Sequence, residues 1–251
     1  MDHFYVIEFN RKQRQRLYFS LFIIGLIILL MSYFLTSYKN KEAEQAALMK
    51  GNEKEKNIAL TFNISWGDEK VHDILKVLKK HDVRATFFVS GEWAERHPHI
   101  IDEITENEHE LGMLGYRYKN YLEQDLEQVR KDMVYARNVF SKLGYNDLHY
   151  IRPPSGLFNK EVIKLAERIG LDVIHWSVNS NDWKNPGVEE IVVEAKKVNN
   201  GDIVLFHASD IAKQTASALE SVLPYYKEKG FSFVTISQIK EGITSEEKIV
   251  E

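Results

Sequence analysis

Apolar and polar positions fall into three regimes along the chain. From Leu17 to Tyr38 runs an uncharged stretch, LYFSLFIIGLIILLMSYFLTSY. As a helix it measures about 33 Å, long enough to cross a bilayer. A core helix of that length would show a polar face, and a cleaved signal peptide would carry a shorter apolar core ending in a small-x-small site. This run continues through Tyr33, Phe34 and Tyr38, so it reads as an uncleaved anchor. Residues 39–57 are polar and charged without apolar periodicity and read as a tether. From Ile58 onward, short β-branched or aromatic runs alternate with longer amphipathic segments.

The short runs predict strands at 58–62, 85–89, 110–114, 148–151, 172–178, 202–206 and 231–236, and the amphipathic segments predict helices at 70–81, 97–108, 123–143, 159–170, 187–198 and 213–229. Gly144, Gly170, Gly201 and Gly230 close several helices. Strand–helix alternation builds a parallel sheet, and about seven such units fit a (β/α) barrel better than a flat doubly wound sheet. The predicted organisation is a cytoplasmic N-terminus (1–16), a transmembrane anchor (17–38), a tether (39–57), one α/β domain (58–240) and a polar tail (241–251).

Charge sets the expected orientation. Arg11, Lys12, Arg14 and Arg16 precede the anchor, whereas Lys39, Lys41, Glu42 and Glu44 mix after it. The bias places the N-terminus in the cytoplasm and the domain outside. The whole chain, with 33 Lys+Arg and 37 Asp+Glu, has no cationic surplus for nucleic acid. There is no Cys, which excludes thiol nucleophiles, disulfides and Cys-ligated metals.

Polar clusters follow the predicted strands: TFNISWGD, RPPSG, NSNDW and HASD. In a parallel barrel all of them lie at C-terminal strand ends, on one face. Taken singly, Pro153-Pro154 ends a strand, His207 is a loop histidine and Trp183 a core aromatic. Their convergence with Arg152 and Asp182 on one rim points to a site. Trp66, Trp183 and Tyr116 are expected near that rim, where flat aromatic faces suit sugar rings.

Thr61-Phe62-Asn63, His109-Glu110-Leu111-Gly112, Arg152-Pro153-Pro154, Asn179-Ser180-Asn181-Asp182-Trp183 and Leu205-Phe206-His207 resemble, in order and spacing, the five motifs of the NodB-type polysaccharide deacetylases, carbohydrate esterase family 4. The MxHFYV start, the single anchor and the ISWGDE and MGY variants resemble the sporulation-associated PdaB branch. The resemblance implies a distorted (β/α) barrel that removes acetyl groups from N-acetylated sugars in chitin or peptidoglycan. It further implies an Asp-His-His set holding a divalent metal, often zinc, an Asp as base, and a histidine that protonates the leaving amine. His207 matches that acid and Arg152 the residue tethering the base. Leu205 matches the acetyl-pocket wall, beside Pro154, and Asp182 with Trp183 the acidic, aromatic rim.

Half of that machinery is replaced. Asn63 stands at the base position, and an amide has no titratable acceptor near neutral pH. Ile64, Leu114 and Tyr118 occupy the three ligand positions, and Asn179 replaces an Asp common in the family. Asp68, Glu69 and His72 have a spacing that could hold an ion, but Asp68 capping a helix is the plainer reading. His97 and His99 flank Pro98 as surface residues. The expected function is a membrane-anchored, extracytoplasmic deacetylase-family protein that binds peptidoglycan or a related N-acetylated glycan, with no cofactor and no nucleic acid. The alternatives are an active N-deacetylase using zinc or another divalent metal at a non-standard site, and a membrane scaffold that ignores glycans. Oligomeric state is left open.

Overall fold

The computed structural model describes residues 11–247. Residues 1–10 and 248–251, which belong to the expected cytoplasmic N-terminus and polar tail, lie outside the described residues. The chain divides into two units, one up to Glu42 and one from Ala43. Helix α1 (Arg11–Ala46), most of which belongs to the first unit, exposes large apolar side chains of the anchor, including Phe19, Phe22, Ile28 and Leu29. Among the described residues it is the one helix long and apolar enough to span a membrane, with its apolar window at Arg14–Ser32. Side chains that gain nothing from protein contact there gain from a hydrocarbon surrounding.

The second unit is built on one parallel sheet. Its strands are β1 (Asn57–Ile64), β2 (Thr86–Val89), β3 (Glu110–Met113), β4 (Tyr150–Ile151), β5 (Asp172–Val173), β6 (Val178–Asn179), β7 (Ile203–His207) and β8 (Ser232–Phe233). Seven run in the order β5-β4-β3-β2-β1-β7-β6, and β8 adds beside the start of β1. The sheet curls into a near-barrel, as the strand–helix alternation predicts. Helices α2 (Lys70–Lys80), α3 (Gly91–Arg96), α4 (Pro98–Glu106), α5 (Leu126–Lys142), α6 (Lys160–Arg168), α7 (Val188–Ala195) and α8 (Thr215–Glu228) connect the strands, and α9 (Ile236–Glu247) follows β8.

Period-two alternation along β1 sorts the interior into two parts. Ile58, Leu60, Phe62 and Ile64 join the large core between sheet and helices, with Val71, Ile74 and Leu78 of α2. Ala59 joins a smaller cluster with Phe88, Leu114, Ile174, Ile203, Ile236 and Ile239. Thr61 and Asn63 share the face of Ala59 by alternation, so the polar positions of β1 line the inside of the curl.

Three elements differ from expectation. The run at 172–178 is two strands. β5 pairs with β4 and β6 pairs with β7, because the backbone between them turns its Ile174 and His175 carbonyls to the Arg152 side chain. The run at 231–236 stays in the sheet only through Phe233. Ile236 and Ile239 are apolar because α9 enters the smaller core, and the Glu110 carboxylate accepts from Ile236 and Ser237 N–H at 2.8 and 3.2 Å to cap that helix. α9 therefore crosses the 240/241 boundary. A separate short helix, α3, precedes α4, with the break at His97 before Pro98.

Part of the expected tether is attached to this unit. Ala47 is buried. Leu48 N–H donates to Val173 O at 2.9 Å, His175 N–H donates to Leu48 O at 2.8 Å, and Gly51 N–H donates to Gly201 O at 2.7 Å. Residues 48–51 thus fill the seam between the β5 edge and the start of β7.

Candidate functional site

Parallel pairing sets Asn63 of β1 beside His207 of β7 and beside Phe88 of β2. All three side chains therefore face inward at the C-terminal end of the sheet. Arg152, one residue beyond β4, enters from the other side and is completely buried. Its Nη1 donates to Asn63 Oδ1 at 2.9 Å, its Nη2 to His175 O at 3.0 Å, and its guanidinium carbon lies 4.0 Å from the Phe88 ring centroid. Burial pulls its pKa down to about 9, with the Tyr118 phenol acting in the opposite sense. The Arg152 backbone N–H is also satisfied, by Met113 O at 2.8 Å.

His207 is oriented from below. Its Nδ1 lies 2.8 Å from Asp182 Oδ1. A carboxylate only accepts, so Nδ1 carries the proton and Nε2 is left for the cavity. Asp182 also accepts from His207 N–H at 2.7 Å, Trp183 N–H at 2.9 Å and Thr215 Oγ1 at 2.7 Å. Asp182 was expected on an acidic rim, but it is fully buried and serves as the support of the histidine. The turn that delivers it is set by Asn179, whose Oδ1 accepts from Asn181 N–H at 2.9 Å while Asn181 takes a left-handed φ of 56°.

Above these residues opens a cavity of about 490 Å³, lined by Asn63, Ser65, Trp66, Tyr118, Ser155, Trp176, Asn179, Trp183, Leu205, His207, Ser209 and Ile211. Trp66 and Trp183 are 65% and 43% exposed and form its aromatic rim. Of the residues singled out in the sequence, the structure brings Asn63, His207, Leu205, Trp66, Trp183, Tyr118 and Asn179 to this cavity. Arg152 and Asp182 lie behind it. Pro154 is buried outside the lining. Tyr116 packs edge-on against Tyr135 and donates to Glu95 at 3.1 Å, so it does not line the cavity either.

Ser65, Ser155 and Ser209 lie in the polar clusters but were not singled out within them, and sequence reasoning missed Trp176 and Ile211. Ser65 was legible from alternation with Asn63. Trp176 was hidden inside an apparent strand. It stacks on His175 with ring centroids 3.8 Å apart, and a side chain at Gly156 (φ 68°) would meet its ring at 2.2 Å. His175 is held neutral, its pKa lowered to about 4 by burial and by the nearby Arg152.

The positions that the resemblance assigns to metal ligands fit no divalent metal. Ile64 lies on the outer face of β1 in the helix-side core, Leu114 is fully buried in the smaller apolar cluster, and only Tyr118 reaches the cavity. Two aliphatic side chains and a phenol offer no imidazole or carboxylate. Among the described residues, no group of three His, Asp or Glu side chains could hold an ion. The Asp68–Glu69–His72 spacing does not converge: His72 Nδ1 pairs with Glu103 at 2.8 Å. Asp68 does not cap α2. The Asp210 carboxylate does, accepting from Asp68, Glu69 and Lys70 N–H at 3.3, 3.0 and 2.8 Å. A side chain at Gly67 (φ 73°) would strike it. Sequence separation of about 140 residues hid that cap.

Comparison with known proteins places this arrangement. The polysaccharide deacetylase family model matches residues 50–174. A peptidoglycan-N-acetylglucosamine deacetylase of Bacillus cereus is 33% identical over 189 residues, covering 74% of this chain and 88% of the relative. The chain belongs to the polysaccharide deacetylase family. As a member of that family it is also 27% identical to the uncharacterized protein YlxY of Bacillus subtilis over 77% of its own length, but it spans only 60% of that relative. Among solved structures, the wild-type CE4 family pseudoenzyme of Bacillus anthracis superposes with a TM-score of 0.73 at 30% identity, covering 77% of this chain and 68% of that one. A mutant of the Bacillus anthracis pseudoenzyme, described as having restored enzymatic activity, matches with the same score and identity. At the positions that the resemblance assigns to the base and the metal ligands stand Asn63, Ile64, Leu114 and Tyr118, beside the His207–Asp182 pair and the buried Arg152.

Proposed function

We propose that this family member is a membrane-anchored protein that holds N-acetylated cell-wall glycan, peptidoglycan above all, in the cavity over Asn63 and His207 without metal-assisted hydrolysis. In this reading the N-terminus is cytoplasmic and the domain extracytoplasmic, as the basic flank of Arg11 to Arg16 suggests. The PdaB-like start and the Ile64–Glu69 variant favour a role in spore formation. Protease added to intact protoplasts should digest the domain, and its survival until the membrane is broken would reverse the topology.

The observation that carries the proposal is the pairing of exposed Trp66 and Trp183 around a cavity of sugar-ring size whose floor lacks the ligands of hydrolysis. Trp183→Ala in the full-length protein should weaken retention on purified peptidoglycan about tenfold with the unfolding midpoint unchanged, since loss of one stacking face is worth ~1–1.5 kcal/mol. Unchanged retention would refute glycan binding at this rim. A second reading, an active N-deacetylase with an unconventional site, is favoured by the correctly oriented His207. Acetate release from N-acetylglucosamine oligomers, abolished by His207→Ala, would establish it.

A further inference from the structure

Two amides at the cavity floor are turned the same way, alongside the His207 Nε2 that the Asp182 contact leaves as an acceptor. Arg152 can only donate, so Asn63 must present Oδ1 to it. The Asn63 NH2 is then directed away from the guanidinium. It has no hydrogen-bond partner among the described residues, although the residue is 4% exposed and lines the cavity. Asn179 repeats the pattern. Its Oδ1 is occupied by the Asn181 N–H, which leaves its NH2 for the same cavity. Ser209 Oγ accepts from Ser65 N–H at 3.1 Å and keeps its own proton to give, and the Tyr118 hydroxyl adds a further donor at the wall.

No carboxylate lines the cavity. Asp182 is the nearest acid, but it is buried beneath His207 with its oxygens taken by four donors. Behind Asn63 sits Arg152, a fully buried guanidinium that pairs with no carboxylate among the described residues. A buried charge without a counter-ion is costly, and an anion placed close to it recovers part of that cost.

We propose that the cavity is a carboxylate site: a monocarboxylate seats against the Asn63 and Asn179 NH2 groups and serves as the missing counter-charge of Arg152. This deepens the glycan reading, on which it rests for location. The carboxylate comes either from a free small acid or from an acidic N-acetylated sugar. A carboxylate at position 63, as in an acid–base enzyme, would present an acceptor to the cavity and neutralise Arg152 directly. The asparagine inverts both properties at once.

The test is calorimetric titration of the full-length protein in detergent, at constant ionic strength, with sodium acetate and with its neutral isostere acetamide. Acetate should bind at least about tenfold more tightly. Asn63→Asp, which is isosteric and supplies Arg152 with its own counter-ion, should remove the preference. Asn179→Asp should weaken acetate by a similar factor through like-charge repulsion. N-acetylmuramic acid and N-acetylglucosamine then separate the sources: binding of the muramic acid tighter than that of both acetate and N-acetylglucosamine assigns the carboxylate to the sugar, and binding no tighter than acetate assigns it to a free acid. Equal binding of acetate and acetamide, or a preference that survives Asn63→Asp, overturns the proposal. Loss of peptidoglycan retention with the acetate preference intact would instead overturn only the glycan reading.

Discussion

Arg152 Nη1 donates to Asn63 Oδ1 at 2.9 Å, and this neutral amide is the one side-chain acceptor that the buried guanidinium finds among the described residues. Replacing the amide by a carboxylate should therefore be favourable. Asn63→Asp is expected to stabilise the domain at neutral pH by about 1–3 kcal/mol, the range for a hydrogen bond to a charged group. Because the cation lowers the new carboxyl's pKa in the folded state, the gain is full above the unfolded value near ~3.9 and vanishes as pH falls through the folded one. Urea unfolding at pH 7 and pH 3 reads both parts. The same variant supplied with zinc should release no acetate from N-acetylglucosamine oligomers.

Adding metal ligands should fail for a different reason. Ile64 points into the helix-side core and Leu114 into the smaller cluster, both without solvent exposure. Ile64→Asp is expected to destabilise the domain by about 3–5 kcal/mol by placing an unpaired carboxyl in an apolar surrounding. A quadruple variant carrying Asn63→Asp, Ile64→Asp, Leu114→His and Tyr118→His should lose its cooperative unfolding transition before it gains stoichiometric zinc. A folded, zinc-loaded quadruple variant that releases acetate would mean that the end of β1 can turn Ile64 inward.

Asp210 and Asp68 make a contrasting pair. Asp210 accepts three backbone N–H groups at the start of α2 and fixes the loop carrying Trp66, whereas Asp68 contributes only its own N–H and a 3.8 Å approach to His97. Asp210→Ala should cost about 1–2 kcal/mol and Asp68→Ala should fall within about 0.5 kcal/mol of the parent. Chemical denaturation of the two variants side by side measures the difference.

His109 supplies an acid-sensitive point. It is buried, its Nδ1 accepts from Ala85 N–H at 3.2 Å, and its Nε2 has no partner among the described residues. Burial first and Arg84 second lower its pKa to about 4. The unfolded chain therefore takes up a proton before the folded one does. Stability from this residue is complete above the unfolded value near ~6.5 and falls on acidification toward pH 4, by a total on the order of 3 kcal/mol. In His109→Gln, which keeps an acceptor for Ala85, the difference in unfolding midpoint between pH 7 and pH 4.5 should shrink. An unchanged difference would assign the acid sensitivity elsewhere.

The sequence by itself determined what repeats locally. Hydrophobic periods of two and 3.6 residues placed nearly every strand and helix, the uncharged run marked the anchor, and the polar clusters after the strands marked the face bearing Asn63, Trp183 and His207. These features are legible because each depends on residues close together in the chain. Tertiary structure decided the rest, wherever a residue's role depends on a partner far along the chain. It sent Asp182 beneath His207 instead of onto the rim and gave the capping of α2 to Asp210. It also split the run at 172–178 around Arg152. Above all it fixed which end of the Asn63 amide faces the cavity, because that orientation is set by a guanidinium 89 residues away that can only donate.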